Sequence, residues 1–310
     1  MIDYFGTKII AVDHGYGNIK TARTIVQTSI DEYDFAPLFK GDILEYGNKW
    51  YCIGVGHKEF IPDKNTDDDY YLLTLAAVAM ELHESGIYNA NVHLVSGLPL
   101  NWVQRQRDEF KKYLTRNENV KFRFNNMEYN IHFVGCTIFP QGYPAIVDHL
   151  NELDGTNLLC DIGNGTVNIL YIQDGKPVES KRWSEVKGVK ECMKNVQSAI
   201  SDKFSKVLDE PIVESIFRTG KSKLSAECME VVEHTIRTYI SDLFTMLRKY
   251  NYDPDLMHLY IVGGGGHLVE RYGKGLYDVE RVTIIKDVNA AAKGFERLAN
   301  TIIRSKSQQI

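Results

Sequence analysis

Cysteine is scarce in this sequence and odd in number. Cys52, Cys136, Cys160, Cys192 and Cys228 are widely spaced among 310 residues and mostly flanked by apolar neighbours. That usage excludes a disulfide framework or a cysteine metal site and predicts buried thiols in a reducing, cytoplasmic setting. A basic excess is missing as well. Lys and Arg number 36 against 41 Asp and Glu, a net charge of −5, which argues against direct nucleic-acid binding. Long apolar runs are absent: the longest, YYLLTLAAVAM (70–80), is too short to span a bilayer and leads into Glu81 and His83. The opening MIDYFGTKII lacks the basic region and cleavage site of a signal peptide. HExxH, paired CxxC and GxSxG signatures are missing, as are low-complexity segments and long linkers. With 44% hydrophobic and 25% charged residues, the chain reads as soluble and globular, with one large domain or two medium ones.

Glycine, by contrast, is placed with a pattern. AVDHGYGNIK (11–20) follows an apolar run with Asp13-x-Gly15-x-Gly17, and LLCDIGNGTVN (158–168) repeats the construction as Asp161-x-Gly163-x-Gly165. At ordinary glycine usage, one Asp-x-Gly-x-Gly is expected by chance in roughly one such chain in ten. Two copies, each directly behind a buried-looking strand, are less easily dismissed. Other glycine motifs fail their tests. Gly220-Lys221-Ser222 lacks the earlier glycine and the preceding strand of a P-loop. Gly263-x-Gly265 meets Leu268, and Gly15-x-Gly17 meets Lys20, where a dinucleotide fingerprint needs its third glycine. His14, His57 and His267 stand alone and read as structural.

A coarse pass along the chain finds similar orders twice. Residues 8–12 form an apolar strand, and 19–27 can return antiparallel to it. DILEYGNKWYCIG reads as a hairpin about Gly47-Asn48, and VKFRFNNMEYNIHFVG as another about Asn125-Asn126. DKNTDDDY (63–70) is an acidic break whose charges suit the start of a helix over 70–84. VHLVSGLPL is a buried strand and 102–114 an amphipathic helix. From Leu158 come a strand, a glycine turn, a strand over 167–172, a Gly175-Lys176 turn, and then helices over 188–204 and 226–250. HLYIVGGGG is a buried strand running into four glycines, and 287–304 closes the chain as a helix. Strand hairpins followed by helices, twice over, predict two similar α/β halves rather than one doubly wound sheet.

A hairpin tip of glycines and small polar residues exposes backbone N–H groups, and such a nest suits phosphate oxygens. An Asp before the tip can hold a hydrated Mg²⁺, which keeps its waters and takes few carboxylates. Asn18, Thr166 and Lys20 add donors, with Lys20 supplying positive charge. The alternative is two plain hairpin turns, where Gly and Asn are common; the matched pair favours a phosphate site.

At this point the sequence resembles the actin superfamily of actins, heat-shock chaperone ATPases and sugar kinases. The two loops look like its phosphate loops, and YIVGGGGHLVE (260–270) is similar to its third glycine cluster, which backs the adenosine. VNAAAKGFERLA resembles its closing helix through Asn289 and Gly294-Phe295, so the likeness runs from Ile9 to about Leu298. Within the superfamily, TIFPQGYPAIVDHL (137–150) and Ser96-Gly97-Leu98-Pro99-Leu100 resemble segments of ParM-type plasmid-segregation actins. The resemblance implies an α/β actin-like ATPase fold, two similar α/β domains flanking a nucleotide cleft. Domain I would be residues 1–155 plus 286–310, and domain II residues 156–285.

It further implies nucleotide binding by Gly15, Tyr16, Gly17, Asn18, Lys20, Gly163, Asn164, Gly165, Thr166, Gly263, Gly264, Gly265 and Gly266. Asp13 and Asp161 would hold Mg²⁺ through water, with Asp13, Asp161 and Gln141 catalytic. In the resemblance Gln141 occupies the place of the residue that orients the attacking water; several ParM-type proteins carry Glu there, and an amide can align water but cannot take its proton. Asn168 is a second departure, since an acid is common at its place. The implied function is a filament-forming ATPase that polymerises with Mg-ATP, or GTP, hydrolyses it, and segregates plasmid DNA. Its partners would be itself and a DNA-binding adaptor, with no direct nucleic-acid or membrane contact. Alternatives on the same fold are a small-molecule phosphotransferase and a membrane-associated cytoskeletal actin; TIIRSKSQQI at the end carries too little apolar surface for stable attachment.

Overall fold

The computed structural model describes residues 1–38, 41–55, 68–100 and 102–307. Residues 63–67 of the acidic break, and His57, lie outside the described residues. The chain divides into two compact units, Met1–Asp148 with Asn289–Ile310, and His149–Val288.

In the first unit, β1 (Ile2–Tyr4) folds back antiparallel on β2 (Thr7–His14), an interior strand of a ten-stranded sheet. Both faces of β2 are covered, and this is why its sequence is continuously apolar rather than alternating. Ile10 and Val12 pack into the cluster that contains Tyr71, Leu73 and Phe110. Ile9 and Ala11, one pleat away, pack with Val95, Ala292, Phe295 and Ala299 on the other face.

The return from β2 is not one strand over 19–27 but two, β3 (Asn18–Lys20) and β4 (Ile25–Gln27). Between them Thr21 N–H donates to Thr24 O (2.9 Å) and their hydroxyls lie 2.8 Å apart. Two threonines that satisfy each other locally compete with a ladder. Next come β5 (Ile30–Tyr33), β6 (Asp42–Tyr46) and β7 (Lys49–Ile53). The β6–β7 turn has positive φ at Gly47 (61°) and Asn48 (62°), as a two-residue hairpin turn demands. Helix α1 (Asp69–His83) is buried almost all round, so YYLLTLAAVAM is a core helix. β8 (Asn89–Leu98) pairs parallel with β2, and α2 (Val103–Leu114) buries only Phe110 and Leu114, the mark of an amphipathic surface helix. β9 (Asn119–Phe124) and β10 (Met127–Pro140) form the second hairpin, with Asn125 and Asn126 both at positive φ. The strand order is β4-β3-β2-β8-β10-β9-β6-β7-β5, with β1 beside β2.

A 3₁₀ segment, Tyr143–Glu152, carries the division between the units. The second unit opens with β11 (Thr156–Ile162) and β12 (Val167–Gln173), then adds a strand where helices were expected. The turn is Asp174-Gly175, both at positive φ, not Gly175-Lys176, and Lys176 already begins β13 (Lys176–Glu185). As the sheet edge, β13 has little apolar surface to bury, so KPVESKRWSE shows no clear alternation. Helices α3 (Val189–Phe204), α4 (Glu210–Thr219) and α5 (Ala226–Lys249) follow. Gly220 of the P-loop lookalike is the left-handed C-cap of α4 (φ 70°), which accounts for that glycine without a phosphate. β14 (His258–Val262), α6 (Gly266–Tyr272) and β15 (Val282–Ile284) complete the sheet order β13-β12-β11-β14-β15. Its core joins Cys160, Ile162 and Ile169 of the sheet to Val196 of α3 and Ile236 and Ile240 of α5. The last helix, α7 (Ala290–Ser307), belongs to the first unit. All five cysteines are buried and unbridged. Among the described residues no helix is long and apolar enough to cross a membrane.

Candidate functional site

The two Asp-x-Gly-x-Gly segments fold into hairpins of the same register. In β2–β3, Asp13 faces Lys20 and His14 faces Ile19, leaving Gly15, Tyr16, Gly17 and Asn18 at the tip. In β11–β12, Asp161 faces Asn168 and Ile162 faces Val167, leaving Gly163, Asn164, Gly165 and Thr166. Lys20 and Asn168 each stand seven positions after their Asp, so the two Asp carboxylates occupy equivalent places.

The tips point their N–H groups in defined directions. In a trans peptide, the C=O of one residue and the N–H of the next face opposite ways, and none of the described peptides is cis. In the second loop the carbonyls are taken by the start of α3. Val189 N–H donates to Gly163 O (3.0 Å), Lys190 N–H to Asn164 O (2.9 Å) and Gly188 N–H to Gly165 O (3.3 Å). The N–H groups of Asn164, Gly165 and Thr166 therefore point together away from α3. In the first loop Thr28 plays this part, its hydroxyl donating to Gly15 O (2.7 Å) and its N–H to Gly17 O (3.0 Å). Tyr16 and Asn18 N–H groups are thereby turned away from Thr28. Converging backbone donors of this kind make an anion site.

The glycines at the tips serve the turns. A Cβ on Gly15 would lie 2.6 Å from Asn18 O, and one on Gly163 3.2 Å from Thr166 O. The Gly263–Gly266 run is largely absorbed by packing within its own unit. A Cβ on Gly263 (φ 85°) would lie 2.5 Å from Asp161 Oδ1, one on Gly265 would overlap the Ile162 side chain, and one on Gly266 would meet Ile284 at 3.2 Å. Gly265 N–H also donates to Ile162 O (2.9 Å). Only Gly264 has open space beyond its Cα, so it is the position of the four where a ligand could approach the backbone. The structure thus joins Asp161, the second loop, the start of α3 and the glycine run into one packed piece.

In the first unit the structure brings Asp13 and Gln141 together. Gln141 follows the end of β10, its N–H donates to Leu98 O (2.9 Å), and its Nε2 donates to Asp13 Oδ1 (3.0 Å). With Nε2 engaged, Oε1 is the atom of the amide left to accept from water. Asp13 is 8% exposed. Its neighbour His14 is fully buried, with Nε2 2.6 Å from Thr74 Oγ1 and Nδ1 2.7 Å from Ser96 Oγ. Since Thr74 Oγ1 donates its proton to Tyr70 O (2.6 Å), it accepts from His14, which fixes the ring as the Nε2–H form.

Three residues of this arrangement, Gly188, Thr28 and His14, carry no signal in the Asp-x-Gly-x-Gly pattern. Gly188 had one hint, a glycine at the very start of a helical pattern. Its backbone is extended (φ −70°, ψ −175°), which any residue adopts. Its need for glycine comes from approach, because a Cβ there would overlap Asn164 O and lie 2.6 Å from the carbonyl carbons of Asn164 and Gly165. Among the described residues no three His, Cys, Asp or Glu side chains cluster as a metal site. One carboxylate per loop fits a cation that keeps its waters and takes other ligands from phosphate oxygens, as Mg²⁺ does.

Comparison with known proteins bears on the fold. Residues 11–143 match the sequence model described as Actin like proteins N terminal domain. No curated protein matches the sequence. Solved structures do match the fold over nearly the whole chain. The apo pSK41 ParM protein aligns at 16% identity with a TM-score of 0.73, covering 97% of this chain and 99% of that one. The Alp12 filament structure aligns at 18% identity and 0.71, covering 96% and 99%. An archaeal actin homologue, Ta0583, in complex with ADP aligns at 19% identity and 0.72, covering 95% and 99%. The chain therefore has a mixed α/β, actin-like fold, and residues 11–143 are similar to an actin-like N-terminal domain.

Proposed function

We propose that this chain is an actin-like nucleoside triphosphatase that polymerises with Mg-ATP, or GTP, and hydrolyses it. The observation that carries the reading is the pair of hairpins in one register, each turning its tip carbonyls inward and its N–H groups outward. Both loops serve one nucleotide in this reading, with actin-like domain I and domain II each supplying one. The loop N–H groups of Tyr16, Asn18, Asn164, Gly165 and Thr166 donate to phosphate oxygens, and Lys20 adds positive charge. Asp13 and Asp161 hold the hydrated cation, which when bound withdraws charge from the phosphoryl oxygens. Gln141, held by Asp13 through Nε2, aligns the attacking water with Oε1. An amide takes no proton, so hydrolysis is slow, as suits a filament that must grow before its nucleotide turns over.

Association with copies of itself is supported by the likeness to the Alp12 filament structure, and nucleotide binding by the likeness to an ADP complex. Segregation of plasmid DNA through a DNA-binding adaptor, in a cytoplasmic setting, extends the reading, and a net charge of −5 accords with cargo held by a partner. Light scattering against protein concentration, with Mg-ATP and without nucleotide, tests it. A sharp threshold only with ATP, decaying as phosphate appears, is expected. Flat scattering with steady turnover would leave a phosphotransferase or a monomeric ATPase instead.

A further inference from the structure

Three consecutive residues of α7 reach the two sides of the Asp13–Gln141 pair. Gly294 lies against the Pro140–Pro144 turn: a Cβ on it would overlap Pro144 O and lie 2.5 Å from Pro144 C. Phe295 is fully buried, with its ring stacked on Phe139 (centroids 6.0 Å apart, 18° between planes) and its edge filling the space over Gly97. Glu296 accepts the N–H of Ala11 through Oε1 (3.2 Å), on the strand that ends in Asp13. Immediately before α7, Asn289 Nδ2 donates to Thr21 O (2.8 Å), just past the return strand β3.

The contact at Gly97 is the critical one. A Cβ there would overlap Phe295 Cζ and lie 2.9 Å from Gln141 Cγ, so Gln141 and the Phe295 ring share a space that exists only because residue 97 is glycine. Leu98, the next residue, receives the Gln141 N–H. The ring has nowhere to retreat, since Phe139 stacks on it and the neighbouring Gly294 abuts Pro144 backbone. Gln141, partly exposed, is the side chain that would give way.

We propose that α7 is the positioning element of the Asp13–Gln141 pair, with Gly97 and Phe295 as positioning residues that set where Gln141 holds its amide. This inference rests on the reading of Gln141 as the water-aligning group. The phosphate-binding loops are untouched by the Gly97 contact, so its disturbance acts on turnover and spares nucleotide affinity.

The test compares phosphate release and the affinity for a non-hydrolysable ATP analogue in wild type, Gly97→Ala, Phe295→Leu, the double variant, and each of these with Gln141→Ala. A displacement near 1 Å can lower a rate by about a hundredfold, so each single variant is expected to slow turnover by about tenfold or more. Affinity stays within about threefold of wild type. The double variant, whose smaller side chain makes room for the new methyl, recovers most of the rate. With Gln141→Ala in place, neither change slows turnover further, because both act through that amide. Should Gly97→Ala fail to fold, Phe295→Leu carries the same comparison. Turnover unchanged in the single variants, or an equal further loss on Gln141→Ala, would overturn the inference while leaving the nucleotide reading intact. Wild type that neither binds the analogue nor releases phosphate would overturn both.

Discussion

Gly188 stands so close to Asn164 that no side chain fits between them: a Cβ on Gly188 would overlap the Asn164 carbonyl oxygen. That closeness lets Gly188, Val189 and Lys190 hold the carbonyls of Gly165, Gly163 and Asn164. Gly188→Ala must push the loop off α3 and turn its N–H groups out of line. Overpacking of this sort costs about 1–3 kcal/mol of stability. The larger effect is expected on ligand, with nucleotide affinity down by about tenfold, the equivalent of one lost charge-assisted hydrogen bond. Calorimetric titration with a non-hydrolysable ATP analogue, alongside thermal melting, separates the two; unchanged affinity in a destabilised variant would make α3 a structural prop only.

Asp161→Ala is expected to reduce phosphate release to background while leaving a folded chain. Asp161 sits at the end of β11 with Oδ1 over the Gly263 backbone, outside the hydrophobic cluster of its unit. Melting temperature should move little, and secondary structure should not change. Phosphate release at the wild-type rate would remove Asp161 from the metal role.

Much of this was legible in the sequence because it depends on neighbours. Gly47-Asn48 and Asn125-Asn126 announce their turns since few other residues take positive φ. The two Asp-x-Gly-x-Gly hairpins are likewise local, and their equal spacing predicts their equal register. Contacts between distant segments left no such trace. Gly294 is required by Pro144 and Gly97 by Phe295, pairs about 150 and 200 positions apart, and a single sequence does not reveal which glycine abuts which backbone. β13 escaped because an edge strand needs no strict alternation. Four successive glycines at 263–266 suggest a ligand-facing surface, whereas three of them are explained by the packing of Asp161, Ile162 and Ile284.

Thr74→Val tests the buried support beneath the first loop. Thr74 Oγ1 accepts from His14 Nε2 and donates to Tyr70 O, so the valine leaves the imidazole N–H without its acceptor in a fully buried site. An unsatisfied buried donor costs about 1–3 kcal/mol. Urea unfolding should show a lower midpoint with an unchanged slope. A midpoint equal to wild type would mean that His14 takes its other tautomer and does not depend on Thr74.

Glu296 gives the unit a pH dependence of defined sign. Burial raises its carboxyl from the ordinary 4.5 to about 7; the Met1 amino group and the Ala11 N–H oppose the rise, and Glu81 adds to it. The folded chain therefore holds this proton more tightly than the unfolded one. The stability it contributes is full below about pH 4.5 and is lost as pH rises to about 7. Glu81 runs the other way. Burial alone would raise it, but the Met1 amino group, the Thr21 hydroxyl and Arg23 hold it below its ordinary value, so its contribution fails only under more acid conditions. His93 and His258, both lowered by burial, gain stability as pH rises and partly mask Glu296 in the wild type. Glu296→Gln keeps an acceptor for Ala11 and has no proton to lose, so the histidine terms cancel when the two proteins are compared. The stability of the variant relative to wild type should rise by on the order of 1–3 kcal/mol between pH 5 and pH 8 in urea unfolding. A difference that stays flat across that range would place an ionised carboxylate under β2 at all these pH values, held by its neighbours rather than neutralised by burial.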